Sequence, residues 1–417
     1  MNTKNILDVY LHGRLAGKLS QEKSGILSFT YDEAYANDGK STPLSVSMPI
    51  SHDTYLDSIA RPFFSGLLPD DIVRTRLAEY LGVSEKNPFA LLAEIGGECA
   101  GAIALYPEGE KPAVGNSTAP ETLDEKKLRD ILELLKRRPM LAGEGDLRLS
   151  LAGAQDKIAV GVIDGKIALL KGGTPTSHIL KPMIERVHDS AQNELFCLLL
   201  AARLGLPAAK ASLGFAGDAS YLLVERYDRI MENGSRVRLH QEDFCQALSI
   251  APEKKYEREG GPNIADCLQL LERRSARPAV DRLAFLHLVI FNYLIGNADC
   301  HGKNSSLLYR PEGPRLAPAY DLMCTAVYPD VQKKLAMKIG GEYDPEKIFR
   351  RHWHRLVADT AAARKALDKD LNEMARAIRT EAAALAEALR DQGITSPIIG
   401  GIREVIEKRA RQVMEEF

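Results

Sequence analysis

The chain has 417 residues, 45% of them hydrophobic and 27% charged, which is ordinary for a soluble globular protein and too long for one typical core. Its 55 basic and 57 acidic residues leave a formal net charge of −2, which excludes a uniformly basic nucleic-acid surface but not a local patch. The six cysteines (Cys99, Cys197, Cys245, Cys267, Cys300, Cys324) are scattered without a C-x-x-C pair, so neither a zinc site nor a disulfide framework is expected, and Cys300 reads as a small reduced side chain.

In chain order, Met1–Ile6 lack the apolar run of a signal peptide, and nowhere do 18 apolar residues follow one another, so a cytoplasmic chain without a membrane segment is expected. Residues 6–11, 14–19 and 25–30 read as short strands, with turns at Gly13 and over Glu22–Gly25. Pro69, Asp70 and Asp71 open a helix to about Gly82, a second helix covers Pro88–Ile95, and Ala102–Tyr106 is a closing strand. Residues 1–107 are thus a small α+β domain, and 108–122, rich in Pro, Gly, Ser and Thr, are a linker. An amphipathic helix over Leu123–Lys136 precedes strands from Leu147 to Lys181, with Asp164-Gly165 as a hairpin turn. A helix from Ser190 to Leu204 stops at Gly205, and strands follow at 209–215 and 220–226. Residues 228–417 read as mainly helical. Asp281–Ile295 is apolar nearly all round, including Leu283, so it is a buried central helix with His287 as a core histidine. Leu371, Met374, Ile378, Ala382, Leu385 and Leu389 recur at helical spacing, and a last helix starts near Ser396. A strand-rich part at 123–227 followed by a helical part at 228–417 gives an α+β chain with two lobes.

The chemistry concentrates after the apolar helix. In Asn297-Ala298-Asp299-Cys300-His301-Gly302-Lys303-Asn304, Asp299 and Asn304 have the D-x-x-x-x-N spacing of a kinase catalytic loop, and Asp321 follows where a D-F-G aspartate would stand. Phosphoryl transfer needs an acceptor for the hydroxyl proton and oxygen ligands for magnesium; Asp299 suits the first task, Asn304 and Asp321 the second. His301 and Lys303 are candidates to meet ATP phosphates. Read blandly, the segment is a polar turn capped by Asn297 or Asp299, but three kinase-like positions in one window weigh against that. Lys181 ends an apolar strand and is the candidate ATP lysine, with Glu194 in the next helix as its ion-pair partner. Ser150–Lys157 is a loop of small residues that lets backbone N–H groups approach phosphate, although by pattern an ordinary hairpin loop fits equally well. Gly172-Gly173-Thr174-Pro175-Thr176 reads as a further loop. Val224–Arg229 sits where a kinase hinge offers backbone groups to adenine.

Together with Phe63-Phe64-Ser65-Gly66-Leu67-Leu68-Pro69-Asp70, Thr174–Lys181, Val224–Arg229 and Ala319-Tyr320-Asp321-Leu322-Met323, these motifs resemble the HipA family of serine/threonine-protein kinase toxins, in the family's order and over nearly the whole chain. The resemblance implies a bilobed protein-kinase-like fold, with 123–227 as the N-lobe and 228–417 as the helical C-lobe, and the small N-terminal domain packed on the upper lobe. It implies a non-specific serine/threonine protein kinase that uses ATP and Mg2+ and targets an aminoacyl-tRNA synthetase. Its implied partners are a HipB-like helix-turn-helix antitoxin and, through that complex, operator DNA. By position, Asp299 is implied as the base and Asn304 and Asp321 as metal ligands. ATP contacts fall to Ala152, Gly153, Ala154, Gln155, Asp156, Lys157, Lys181, Glu225, Arg226, Tyr227, His301, Gly302, Lys303, Asn304 and Tyr320. Ser150 is the implied autophosphorylation site. The H-R-D motif is absent, since Asn297 stands two residues before Asp299, and no lysine stands two residues after it. Two alternatives are a small-molecule phosphotransferase, which usually carries H-G-D where Asn297-Ala298-Asp299 stands, and a catalytically silent co-repressor, against which the full set Lys181, Asp299, Asn304 and Asp321 argues. Arg364, Lys365, Lys369, Arg376 and Arg379 read as the solvated face of a helix rather than a DNA contact.

Overall fold

Side chains alternate cleanly along Leu27–Tyr31: Leu27, Phe29 and Tyr31 are buried, whereas Ser28 and Thr30 are half exposed. The computed structural model describes residues 5–112, 119–143, 148–171, 173–185 and 187–417; the expected strand start at Leu147, Gly172 and residues 113–118 of the expected linker lie outside the described residues. The chain is α+β and divides into two compact units, one formed by Met1–Pro182, Phe215–Glu253 and Ser306–Gly313, the other by Met183–Gly214, Lys254–Ser305 and Pro314–Phe417.

In the first unit, Asn5–Leu11 lies between Arg14–Gln21 and Ile103–Pro107, and Leu27–Tyr31 pairs with the outer side of Arg14–Gln21, all antiparallel. His12 and Gly13 join the first two strands with φ of 51° and 74°, the two positive values that a tight hairpin turn needs. Helices Asp57–Gly66 and Pro88–Ile95 pack on this sheet and Asp71–Leu81 packs against Pro88–Ile95, which is opened by Asn87, whose side chain accepts from the Ala90 N–H. A second sheet runs in the order Glu121–Thr122, Lys166–Leu169, Ile158–Ile163, His178–Pro182, Ala219–Glu225. One apolar cluster runs through both sheets, from Leu7, Phe29, Phe63 and Phe64 to Leu128, Ile158, Leu180 and Tyr221.

The mainly helical expectation after Tyr227 misses a hairpin. Arg229–Glu232 pairs with Ser235–Arg238 around Asn233-Gly234, whose φ values of 50° and 76° suit that dipeptide. Just before it lies a buried ion network. Arg226 and Arg229 each contact Asp228 at 2.8 Å and Glu98 at 3.3 and 2.9 Å. Burial alone pushes the Glu98 carboxyl up, but Arg238, Arg229 and Arg226 outweigh it and hold the pKa at about 2.

In the second unit, Asn263 and Asp266 cap Ile264–Arg274 reciprocally, and Pro278 opens the buried helix Pro278–Ile295. That helix is the one described segment long and apolar enough to span a membrane, and 61% of it is buried within the protein. Leu283, expected inside, is 48% exposed because it sits on the outer face of the first turns. His287, expected in the core, is half-buried and bonds Asp370 at 3.1 Å. Ala361–Asp391 and Pro397–Glu416 form an antiparallel pair pinned by Arg379, which reaches both carboxylate oxygens of Glu407 at 2.7 Å.

Glu242, in the first unit, is buried with three donors around it. It accepts from the Ser45 hydroxyl at 2.5 Å, the Val46 N–H at 2.9 Å and the Tyr309 hydroxyl at 2.6 Å. Burial pushes the Glu242 pKa up from 4.5 to about 7, outweighing the bonds from Ser45, Tyr309 and Val46, which pull it down. Because the folded form holds the proton more tightly than the unfolded chain, this contribution to stability is full below pH 4.5 and is lost as the pH rises through about 7. Glu242→Gln, a neutral isostere that does not titrate, is expected to remove that component. Urea midpoints measured across this window should fall less with rising pH in the variant than in the native chain.

Candidate active site

The second unit supplies the loop at 297–304. The apolar helix ends at Gly296, whose φ of 73° reverses the chain, and a Cβ there would lie 2.7 Å from Val405 and 2.8 Å from Ala326. Asn297 turns the next step: its Oδ1 accepts from the Asp299 N–H at 3.0 Å, while its Nδ2 donates to Asn292 at 2.8 Å. Thr325 holds the loop from outside, accepting from the Ala298 N–H at 2.8 Å and donating to the Gly296 carbonyl at 3.2 Å. Asp299 is exposed, and its Oδ1 accepts from the Tyr256 hydroxyl at 2.6 Å. The neighbouring Cys300 is half-buried, and burial, with a further push from Asp299, raises its thiol pKa to about 12.

Residues 302–304 form one tight turn in which the His301 N–H donates to Asn304 Oδ1 at 3.0 Å and the Asn304 N–H donates to the His301 carbonyl at 2.9 Å. His301, Gly302 and Lys303 are buried, and Asn304 is half-buried. An amide oxygen has two lone pairs, so Asn304 Oδ1 can bond His301 and still face a cation. Tyr320 donates to the Lys303 carbonyl at 2.7 Å, which fastens the residue before Asp321 to the residue before Asn304. Asp321 has a φ of 51°, a left-handed conformation uncommon for a side chain other than glycine. Its segment is fixed at both ends. Ala319 bridges to Ala209 at 2.8 Å, and Asn193 bonds both the N–H of Cys324 at 2.8 Å and its carbonyl at 2.9 Å.

A carboxylate and an amide oxygen are the hard donors that magnesium takes, with water and phosphate completing its shell. Among the described residues no three His, Cys, Asp or Glu side chains cluster as a cage, and such a site needs none. Asp321 and Asn304 therefore fit the ion in donor chemistry.

The first unit supplies the phosphate-loop candidates. Gly153 has a φ of 111°, and a Cβ there would lie 2.5 Å from Lys157 Nζ, which closes the loop on the Ala152 carbonyl at 2.8 Å. The loop is docked at three further points. The Asp70 N–H donates to the Gly153 carbonyl at 3.0 Å, Arg76 pairs with Asp156 at 2.7 Å, and Gln155 donates to the Pro182 carbonyl at 2.9 Å. The last bond brings the loop to the residue after Lys181, which is buried on strand His178–Pro182 opposite Leu222. Ser150 is fully buried and donates to the Leu67 carbonyl at 2.7 Å.

Of the hinge residues, Glu225 is exposed at the strand end and Tyr227 is half-buried, with its hydroxyl on Gln241. The Arg226 guanidinium is engaged by Asp228, Glu98, Thr176 and the Cys99 carbonyl, and its N–H donates to the Ser177 carbonyl, so Arg226 is a framework residue of the sheet. Glu194 is buried on helix Ser190–Arg203 of the second unit, whereas Lys181 belongs to the first. Sequence reading missed Tyr256, Asn193, Thr325 and Arg76. Each lies far along the chain from its partner, and Tyr256 and Asp299 are 43 residues apart.

The family model for the HipA N-terminal domain matches residues 7–106, and the model for the HipA-like C-terminal domain matches residues 149–386. The Sinorhizobium fredii protein Y4mE is 41% identical over 415 residues, covering 99% of both chains. The serine/threonine-protein kinase toxin HipA of Shewanella oneidensis is 32% identical over 390 residues, covering 89% of this chain and 87% of that one. The solved complex of Shewanella oneidensis HipA with HipB and its operator DNA contains a chain that superposes with a TM-score of 0.83 at 28% identity over 98% of both chains.

Asn193→Ala strips both polar groups of the Cys324 peptide of a buried partner. A loss of roughly 2–4 kcal/mol is expected in urea unfolding, together with faster amide exchange at Cys324.

Proposed function

This chain belongs to the HipA family, and from that premise we propose that it is an ATP- and Mg2+-dependent serine/threonine protein kinase acting as the toxin of a toxin–antitoxin pair. The observation that carries this reading is the bond from Tyr320 to the Lys303 carbonyl, which ties the D-x-x-x-x-N loop to the Asp321 segment. ATP with its magnesium supplies the transferable phosphoryl group and neutralises charge on it. The second unit's share is the chemistry. Asp299 accepts the proton of the acceptor hydroxyl as that oxygen bonds to the γ-phosphorus and ADP leaves, while Asn304 and Asp321 hold the metal and His301, Gly302, Lys303 and Tyr320 line the nucleotide. The first unit's share is binding, with Lys181 and the backbone of Ala152–Lys157 for the phosphates and Glu225 and Tyr227 for adenine.

Ser150 is the proposed self-phosphorylation site. Its pocket offers its hydroxyl a carbonyl acceptor, and a phosphate there would bring close to two negative charges against that oxygen. The loop would have to leave, and ATP binding with it. The protein target is proposed to be an aminoacyl-tRNA synthetase, so the kinase works in the cytoplasm. Its neutralising partner is proposed to be a HipB-like antitoxin on operator DNA, the assembly solved for the Shewanella oneidensis relative.

Transfer from γ-labelled ATP tests the reading. Asp299→Gln should slow transfer by roughly 10²–10⁴-fold, with an unchanged circular dichroism spectrum. Equal rates in the two proteins would reject Asp299 as the base.

A further inference from the structure

The proposed base carries a partner that the D-x-x-x-x-N pattern does not contain. Asp299 is exposed on a loop whose backbone is well fixed, but a base must also present one carboxylate oxygen in a constant direction. Asp299 Oδ1 is occupied by the Tyr256 hydroxyl at 2.6 Å, the short distance of a hydroxyl donating to a carboxylate.

The phenol is itself immobilised. Its ring meets the His301 imidazole edge to face, with centroids 5.0 Å apart and planes at 87°. One residue earlier, the Lys255 carbonyl accepts from the Gly302 N–H at 3.3 Å, so the Lys255–Tyr256 pair grips the catalytic loop at two points. Behind it, the Tyr256 carbonyl accepts from the N–H groups of Glu259 and Gly261, both at 2.9 Å. Gly261 lies so close that a Cβ would come within 2.3 Å of the Lys254 carbonyl oxygen, which makes this turn dependent on glycine. The turn is anchored outward as well: the Glu257 N–H donates to the Ala336 carbonyl at 3.2 Å, and the Glu257 carboxylate accepts from the Lys338 N–H at 2.6 Å.

We propose that Tyr256 is the positioning residue of the phosphoryl-transfer base, fixing the direction of the Asp299 carboxylate through its bond to Oδ1. This rests on the kinase reading above. It supplies the third group of a nucleophile–base–orienter arrangement, here built from a tyrosine on a separate rigid turn. The phenol touches neither nucleotide nor acceptor in this role, so it acts through Asp299.

The test is a double-mutant cycle of Tyr256→Phe and Asp299→Gln in the full chain. Initial rates of transfer from γ-labelled ATP are scored as labelled protein plus released phosphate. Tyr256→Phe should lower kcat by roughly 10–100-fold, as loss of an orienting partner does, and leave KM for ATP within about twofold. In the Asp299→Gln background the same change should have no further effect. A native rate for Tyr256→Phe beside an inactive Asp299→Gln overturns the proposal and leaves the kinase reading intact. A faster Tyr256→Phe enzyme also overturns it, because the phenol would then be occupying the acceptor's place. An equal further loss in the Asp299→Gln background overturns it too, since Tyr256 would act elsewhere. Native rates for Asp299→Gln defeat the kinase reading and the proposal with it.

Discussion

A buried apolar helix that must stop dead is the constraint on which the second unit depends. Pro278–Ile295 is enclosed by protein over most of its length, so its end cannot fray into water. Gly296 ends it within one residue, and side chains of Val405 and Ala326 leave no room there for a Cβ. The chain therefore leaves the core at a fixed point and in a fixed direction. Asn297 and Thr325 then convert that exit into a defined loop, each bonding the backbone on the far side of Gly296 or Ala298. The polar residues of 297–304 owe their placement to an apolar helix that carries no chemistry.

The first unit solves a different problem, that of charge without water. Glu98, Asp228, Arg226 and Arg229 are all buried, and each would be costly alone. Glu98 comes from the segment before strand Ile103–Pro107, and the two arginines follow strand Ala219–Glu225, so the network crosses between the two sheets of the unit. Thr176 and the Cys99 carbonyl satisfy the remaining donors of Arg226. The hinge stretch thus divides by residue: Glu225 faces outward, whereas Arg226 is fully committed to the fold.

Much of this was legible in the sequence wherever the cause is local. Alternation marks strand Leu27–Tyr31, Gly205 ends its helix with a φ of 77°, and Asp164-Gly165 turns a hairpin with φ of 48° and 76°. The α+β class and the D-x-x-x-x-N spacing were readable for the same reason. Asn233-Gly234 carried an equally local hairpin signal that the compositional reading of residues 228–417 overrode. Long-range contacts left no such trace. Asn193 clamps Cys324 from 131 residues away, and nothing about an asparagine in an apolar helix says which backbone it will meet. Leu283 went astray for a related reason, because periodicity gives the apolar width of a helix but not which turns project past their neighbours.

Asp321 shows why the clamps matter more than the motif. A left-handed backbone at a residue with a side chain costs on the order of 1–3 kcal/mol and survives only where its surroundings over-determine it. Here they do: Ala209 holds one side, Asn193 the other, and Tyr320 bonds across to Lys303. An unconstrained Asp321 would relax toward an ordinary conformation and turn its carboxylate with it. Holding Asp321 in the left-handed conformation requires partners on both sides of it. Helix Ser190–Arg203 meets that demand at Asn193, one residue from Glu194, so the helix expected to serve the ATP lysine also fixes the backbone beside the candidate metal ligand.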